Sequence, residues 1–344
     1  MKRVGLIQHP AYLEHITSDY HPEHPNRLKT IYALLAQGQG GGRFEVWQPR
    51  EATLDELQQV HAPSYVRRIE ATRGCGHTQL DPDTHVSSET YRVAKLAAGG
   101  LLVLVEALFA NRIDNGFALI RPPGHHAEAD RGMGFCIYNN VAVAARYAQA
   151  AGLAQRVLIV DWDLHHGNGT QHMFESDHSV LYFSTHQYPF YPGTGRADEV
   201  GRSKGVGHTV NVPLPGGQGN ADFLAIYEGL LAPIAEQFRP DLMLVSAGFD
   251  TYYQDPLGSM RVTENGFGEI MQCLMRIAEA HCQGRILLTL EGGYHVEGQA
   301  RSVKCVLEAL AGETGPPVDA GTASQTTERI LEQVRACQRP YWKL

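Results

Sequence analysis

Val157-Leu-Ile-Val-Asp161-Trp-Asp163-Leu-His165-His166-Gly-Asn168-Gly joins a short apolar run to two carboxylates and an imidazole. A run this short, bounded by glycine, reads as a strand buried on both faces. Side chains alternate along an extended chain. Asp161, Asp163 and His165 are therefore expected to point one way and Trp162 and Leu164 the other, which lets Asp163 and His165 grip one cation. An isolated D-x-H is more often a solvated loop, but three further segments repeat the pattern. Arg121-Pro-Pro-Gly-His125-His126-Ala follows Gly116-Phe-Ala-Leu-Ile120, and Ser246-Ala-Gly248-Phe-Asp250 follows Leu242-Met-Leu-Val245. Leu290-Glu-Gly292-Gly293-Tyr294 follows Arg285-Ile-Leu-Leu-Thr289. In open parallel α/β sheets, ligands bind beyond the carboxyl ends of the strands. The sequence thus predicts an α/β fold with a central, mainly parallel sheet, four of whose strand ends deliver His, Asp and Tyr to one crevice.

Asp163, His165 and Asp250 make an oxygen- and nitrogen-rich set of three, and catalytic zinc sites keep three protein ligands plus an open position. A closed structural zinc would be rich in cysteine. The six cysteines, Cys75, Cys136, Cys273, Cys282, Cys305 and Cys337, contain no CxxC pair. Imidazole and carboxylate also suit iron, cobalt and manganese, so zinc is the first expectation and ferrous iron the second. The adjacent His125 and His126 suit general base and acid work near neutral pH. Asp161 is placed to orient one imidazole and Asn168 the other, without charge. Tyr294 carries a phenolic donor on a Gly-Gly hinge, where it can stabilise an oxyanion.

These residues resemble the zinc-dependent histone deacetylases, especially the class II-like bacterial histone deacetylase-like amidohydrolases. The resemblance runs from Met1 to about Gly312. It rests on His21-Pro-Glu-His-Pro-Asn-Arg27, RPPGHHA, Gly134-Phe-Cys136, DWDLHHGNG, Tyr191-Pro-Gly-Thr-Gly195, Asn211-Val-Pro213, AGFD, Asp255-Pro-Leu257-Gly258 and EGGY. It implies a single-domain arginase/deacetylase-like fold. It also implies zinc on Asp163, His165 and Asp250, carbonyl polarisation by Tyr294, and His126 as the principal base and acid, with His125 paired to Asp161. A structural potassium would lie at Asp161, Asp163, His165, Ser184 and Thr185. Phe135 and Tyr191 match the aromatic walls of a narrow acyl-lysine tunnel, Gly134 a backbone carbonyl near its floor, and Arg27 an arginine serving an acetate pocket. Asn168 stands where class I members carry aspartate, which favours the class II-like label. Leu257 lies where polyamine-selective relatives place an acidic gatekeeper, and its apolar side chain offers nothing to a second ammonium.

A length of 344 residues alone would suggest two domains, yet motifs from residue 21 to 294 share one site and no linker divides them. The expected organisation is a catalytic domain over 1–312 and a tail over 313–344. In the tail, a Gly/Pro-containing break precedes a helical pattern over 326–337 that packs on the domain or forms an oligomer contact. A hydrophobic share of 43% fits a globular enzyme. The formal net charge of −8 argues against direct nucleic-acid binding and agrees with a basic substrate. The N-terminus lacks the apolar core of a signal peptide, and Glu106 interrupts the apolar run at 101–109, which is too short to span a membrane. A cytoplasmic protein with a buried helix at 101–109 is expected. Further helices are expected at 140–150, 222–237, 264–281 and 299–310.

The resemblance implies hydrolysis of the amide of N6-acetyl-lysine in a protein or peptide. The alternatives are an acetylpolyamine amidohydrolase acting on small acylated amines, a non-catalytic acyl-lysine binding protein, and a binuclear arginase-like hydrolase. The last would need more carboxylate ligands.

Overall fold

The structure, a computed structural model, describes residues 2–37, 44–313 and 321–344. Its strands are β1 (Val4–Ile7), β2 (Phe44–Trp47), β3 (Thr78–Gln79), β4 (His85–Val86), β5 (Asn115–Ala118), β6 (Val157–Asp161), β7 (Val180–Gln187), β8 (Thr209–Leu214), β9 (Leu242–Ala247) and β10 (Ile286–Leu290). β3 and β4 form a small antiparallel hairpin, and the other eight form one parallel sheet in the order β2-β1-β5-β10-β9-β6-β7-β8.

The four segments singled out in the sequence leave the ends of β5, β10, β9 and β6, which are adjacent in the middle of the sheet. Register aligns them: Ala118 pairs with Thr289, Thr289 with Ser246, Ser246 with Asp161 and Asp161 with Ser184. The four strands are buried along their whole length. Helices cover both faces, as parallel crossovers require. The apolar run at 101–109 lies inside a longer buried helix, Thr90–Phe109. No helix among the described residues is long and apolar enough to cross a membrane.

Helices also form at Asn140–Ala150, Glu264–Cys282, Val296–Leu310 and Gln325–Gln338. The helix expected over 222–237 is instead helical in three parts: Asn220–Ile226, a π turn over Tyr227–Leu231, and Ala232–Phe238. Pro233 explains the interruption, because it has no N–H for the carbonyl of Gly229. That carbonyl accepts from Arg335 Nη2 at 3.0 Å instead.

Arg335 belongs to the helix Gln325–Gln338, which lies along the edge strand β8. Leu331 and Val334 are buried there, Gln338 donates to the Thr209 carbonyl at 2.8 Å and Trp342 Nε1 to the Gly207 carbonyl at 2.8 Å. This covers an edge that would otherwise present unpaired backbone groups. The break proposed at the start of the tail falls largely on 314–320, outside the described residues.

Candidate active site and metal centre

β6 stops at Asp161, so the strand expected to carry on to His165 is replaced by a bend. Side-chain carboxylates take over from the sheet ladder. Asp161 Oδ1 accepts from the Asp163 N–H at 3.1 Å, Asp163 Oδ1 from the His165 N–H at 2.9 Å, and Asp250 Oδ1 from the Leu164 N–H at 2.8 Å. Trp162 and Leu164 still enter the core. Asp161 Oδ2 meets His125 Nδ1 at 3.0 Å, and the Nε2 of the same ring lies 3.7 Å from Asp163 Oδ1.

His165 Nδ1 lies 3.2 Å from Asp163 Oδ1 and 3.1 Å from Asp250 Oδ2, and donors from all three residues fall within 4.8 Å of one another. Tetrahedral zinc with bonds near 2.05 Å separates its ligand atoms by roughly 3.3 Å. Asp163 Oδ2 is anchored by the Gly292 N–H at 2.8 Å. A Cβ on Gly248 would meet Asp163 Oδ2 at 2.0 Å, and one on Gly292 would meet Asp250 Oδ2 at 2.3 Å. Only glycine lets the strand ends approach the carboxylates this closely. Burial, then the neighbouring Asp163 charge, pushes the Asp250 carboxyl up to about 7. Burial lowers the His165 pKa, but hydrogen bonds to Asp163 and Asp250 outweigh it and raise the value to about 9. Two buried carboxylates crowded against one imidazole fit a divalent cation.

Beside this cradle, His125 Nδ1 lies 3.0 Å from Asp161 Oδ2, which also accepts from the Tyr182 hydroxyl at 2.9 Å. His126 Nδ1 lies 2.7 Å from Asn168 Oδ1. The two rings are 4.0 Å apart, yet their electrostatics diverge. For His125, burial is outweighed by the charges of Asp163 and Asp161, which raise its pKa to about 10. His126 is held well below the ordinary histidine value by burial and by His125 and His165. Neighbouring groups pushed apart in this way provide a charged donor and a neutral acceptor.

A cavity of about 70 Å³ joins the histidines to the surface. Gly134, Phe135, Tyr191 and Leu257 line it, together with His165 and Tyr294. Gly134 and Phe135 are both left-handed, with φ of 57° and 70°. The Phe135 N–H donates to Thr84 Oγ1 at 3.1 Å, helping to hold this unusual backbone. The Tyr294 ring meets Phe135 edge-on, 5.9 Å away. Arg27 is not among the cavity's lining residues. Its guanidinium sits 5.0 Å beneath the Tyr294 ring, donating to the carbonyls of Gly293 at 2.6 Å and Glu291 at 2.5 Å and to Glu23 Oε1 at 3.2 Å. Ser184 lies beside Asp161 on β7, bonded to His186 Nδ1 at 2.9 Å. Thr185 Oγ1 reaches the Asp161 carbonyl at 3.4 Å.

Several groups had no role assigned from the sequence, although Glu23, Cys136, Asp255 and Glu291 stand within its motifs. Glu291 Oε2 accepts from the Gly124 N–H at 2.6 Å and the His125 N–H at 3.2 Å, fixing the loop that carries both histidines. Asp255 Oδ2 accepts from the Tyr294 N–H at 2.6 Å, and its Oδ1 accepts from the Leu257 N–H at 3.0 Å. Asp83 and Cys136 line the cavity. Glu23 is fully buried against Arg121 and Arg27. The one signal available was an acid inside, or just after, a Gly/Pro-rich motif.

A parallel α/β sheet that gathers an Asp-His-Asp cradle, paired histidines and a tyrosine at its central strand ends makes a candidate centre for metal-assisted hydrolysis. A family model, the histone deacetylase domain, matches residues 21–310. The chain is 46% identical over 298 residues to histone deacetylase 15 of Arabidopsis thaliana, covering 85% of this chain and 53% of that protein. It is 40% identical over 311 residues to a probable deacetylase of Archaeoglobus fulgidus, covering 90% and 86%. It is 41% identical over 334 residues to the polyamine deacetylase HDAC10 of Homo sapiens, covering 93% and 49%. The crystal structure of the HDA15 HD domain matches with a TM-score of 0.92 at 41% identity, over 99% of this chain and 95% of that one. The chain belongs to the histone deacetylase family and has the arginase/deacetylase fold. It spans about half the length of the plant and human relatives.

Proposed function

We propose that this chain hydrolyses the amide of N6-acetyl-lysine in proteins or peptides, releasing acetate and lysine. The observation that carries this reading is the placement of His126, bonded to Asn168, and His125, bonded to Asp161, on the same cavity as Tyr294 and the Asp163-His165-Asp250 cradle. Asp163, His165 and Asp250 would hold a divalent cation, zinc by the donor set, which when bound would supply Lewis-acid chemistry. His126 takes a proton from the water at Nε2 as the new C–O bond forms. Tyr294 donates a hydrogen bond to the carbonyl oxygen as negative charge gathers there. The C–N bond then breaks, and the His126 imidazolium returns its proton to the departing amine. His125, bonded to Asp161, sets a second imidazole beside the developing anion. Phe135, Tyr191 and Leu257 leave room for a slender chain and exclude water around it. A structural potassium among oxygens of Asp161, Asp163, His165, Ser184 and Thr185 belongs to the same proposal, as does a catalytic domain over 1–312 with the residues from 313 packed on it.

A second reading, hydrolysis of acetylpolyamines, draws on the similarity to HDAC10. The apolar Leu257 at the cavity weighs against it. Turnover of matched acetyl-lysine peptides, acetylputrescine and acetylspermidine by metal-loaded protein separates the two, with Asp250→Ala as the inactive control. Peptide turnover that Asp250→Ala abolishes is the expected result; activity confined to polyamines would reverse the assignment.

A further inference from the structure

His125 is bonded directly to a carboxylate, whereas His126 faces the amide of Asn168. The structure places the missing charge one residue farther out. Asn168 Nδ2 donates to Glu128 Oε1 at 2.6 Å, and His172 Nδ1 lies 2.8 Å from the same oxygen. Asn168 and His172 stand one turn apart on the short helix Asn168–Phe174, so both reach one acceptor. Glu128 and Asn168 are buried, while the His172 side chain is 38% exposed, which makes this a continuous hydrogen-bonded path from His126 to the surface.

From these contacts we infer that Glu128 is a positioning residue that sets the tautomer of His126 through Asn168. An ionised carboxylate accepts hydrogen bonds and cannot donate them. Facing Glu128, Asn168 must therefore present its NH2 group there and its Oδ1 to His126. An amide oxygen only accepts, so His126 Nδ1 must carry the proton. Its Nε2 is left with the free lone pair that a general base needs. Burial opposes ionisation of Glu128, but the hydrogen bond and charge of His172, together with Asn168, hold its carboxyl below the ordinary value. Asn168 Nδ2 also lies 3.4 Å from the His126 carbonyl, a longer contact than the 2.6 Å bond to Glu128. A Gln in place of Glu128 can donate as well as accept, so Asn168 is held less firmly, and an amide that turns over offers His126 a donor and favours the wrong tautomer. The inference rests on the proposed role of His126 and explains how an asparagine can serve there.

Two measurements test it. In metal-loaded wild-type protein, long-range 15N correlation of the imidazole rings is expected to show His126 protonated at Nδ1 and bare at Nε2. Protonation at Nε2 would overturn the inference whether or not the protein deacetylates anything, so its failure is distinguishable from failure of the proposed function. For the second, Glu128→Gln is expected to lower kcat about 10- to 100-fold with KM little changed and metal content intact. Asn168→Asp alone sets two carboxylates in contact and is also expected to impair turnover. Combining the two restores a carboxylate next to Nδ1–H and gives it an amide donor, so the double variant should be more active than either single one. Wild-type kcat in Glu128→Gln, or a double variant whose losses simply add, would remove Glu128 from this role.

Discussion

Tyr294 is held from several sides: its N–H on Asp255, its ring on Arg27 and its edge against Phe135. That immobilisation suits a hydroxyl whose hydrogen bond strengthens only as charge develops. Tyr294→Phe is expected to lower kcat on acetyl-lysine peptide about 10²- to 10³-fold, with unchanged folding by circular dichroism. Beneath it, burial alone would raise the Glu23 carboxyl, but Arg121 and His15 win and hold it well below the ordinary value. A depressed carboxyl contributes stability above its unfolded pKa of about 4.3, and that contribution is lost as pH falls through the folded value. Thermal melts between pH 7 and pH 3 should therefore show a steep acid limb. Glu23→Gln should flatten it while costing about 3–5 kcal/mol at pH 7, because Arg121 and Arg27 lose their buried partner.

Among the elements, the central strands were readable because a glycine and a reactive side chain follow each apolar run directly, and periodicity reports such local facts. The meeting of Asp163, His165 and Asp250 in one cradle was readable for the same reason. What was not readable depends on contacts between distant segments. Glu291 fixes a loop 167 residues away and Glu128 meets Asn168 across 40 residues, while each alone reads as an ordinary acid in a turn. The strand ends at Asp161 because carboxylates capture the backbone N–H groups that a longer strand would have paired, yet Trp162 and Leu164 still face the core and Asp163 and His165 the cradle. The π turn was missed because Pro233 marks a weak spot in a helix but says nothing of Arg335, which satisfies the freed carbonyl. Since the C-terminal helix also buries Leu331 over β8, Leu331→Ala is expected to cost about 2–5 kcal/mol by denaturant melting, leaving kcat of the folded protein unchanged.

At the scale of the whole molecule, the cradle crowds two buried carboxylates that a cation would relieve, so under the proposed metal site binding and folding would be linked. Chelation is expected to abolish turnover and lower the melting temperature. In Asp250→Ala the melting temperature should no longer respond to chelator, which scanning fluorimetry with and without it will report. The formal net charge of −8 adds a weaker effect. Association with a cationic substrate should slow as salt rises, seen as a fall in kcat/KM at steady kcat.

The cavity of about 70 Å³ is small and walled by Phe135, Tyr191 and Leu257. Under the proposed reading, such an opening measures reach and cross-section, and whatever carries the acylated arm stays outside it. Promiscuity is then the default: unrelated carriers become equivalent once their arm is long enough, and discrimination among them falls to the rim around Asp83, Tyr191 and Leu257. A synthetic probe should behave the same way, its potency turning on linker length far more than on its cap.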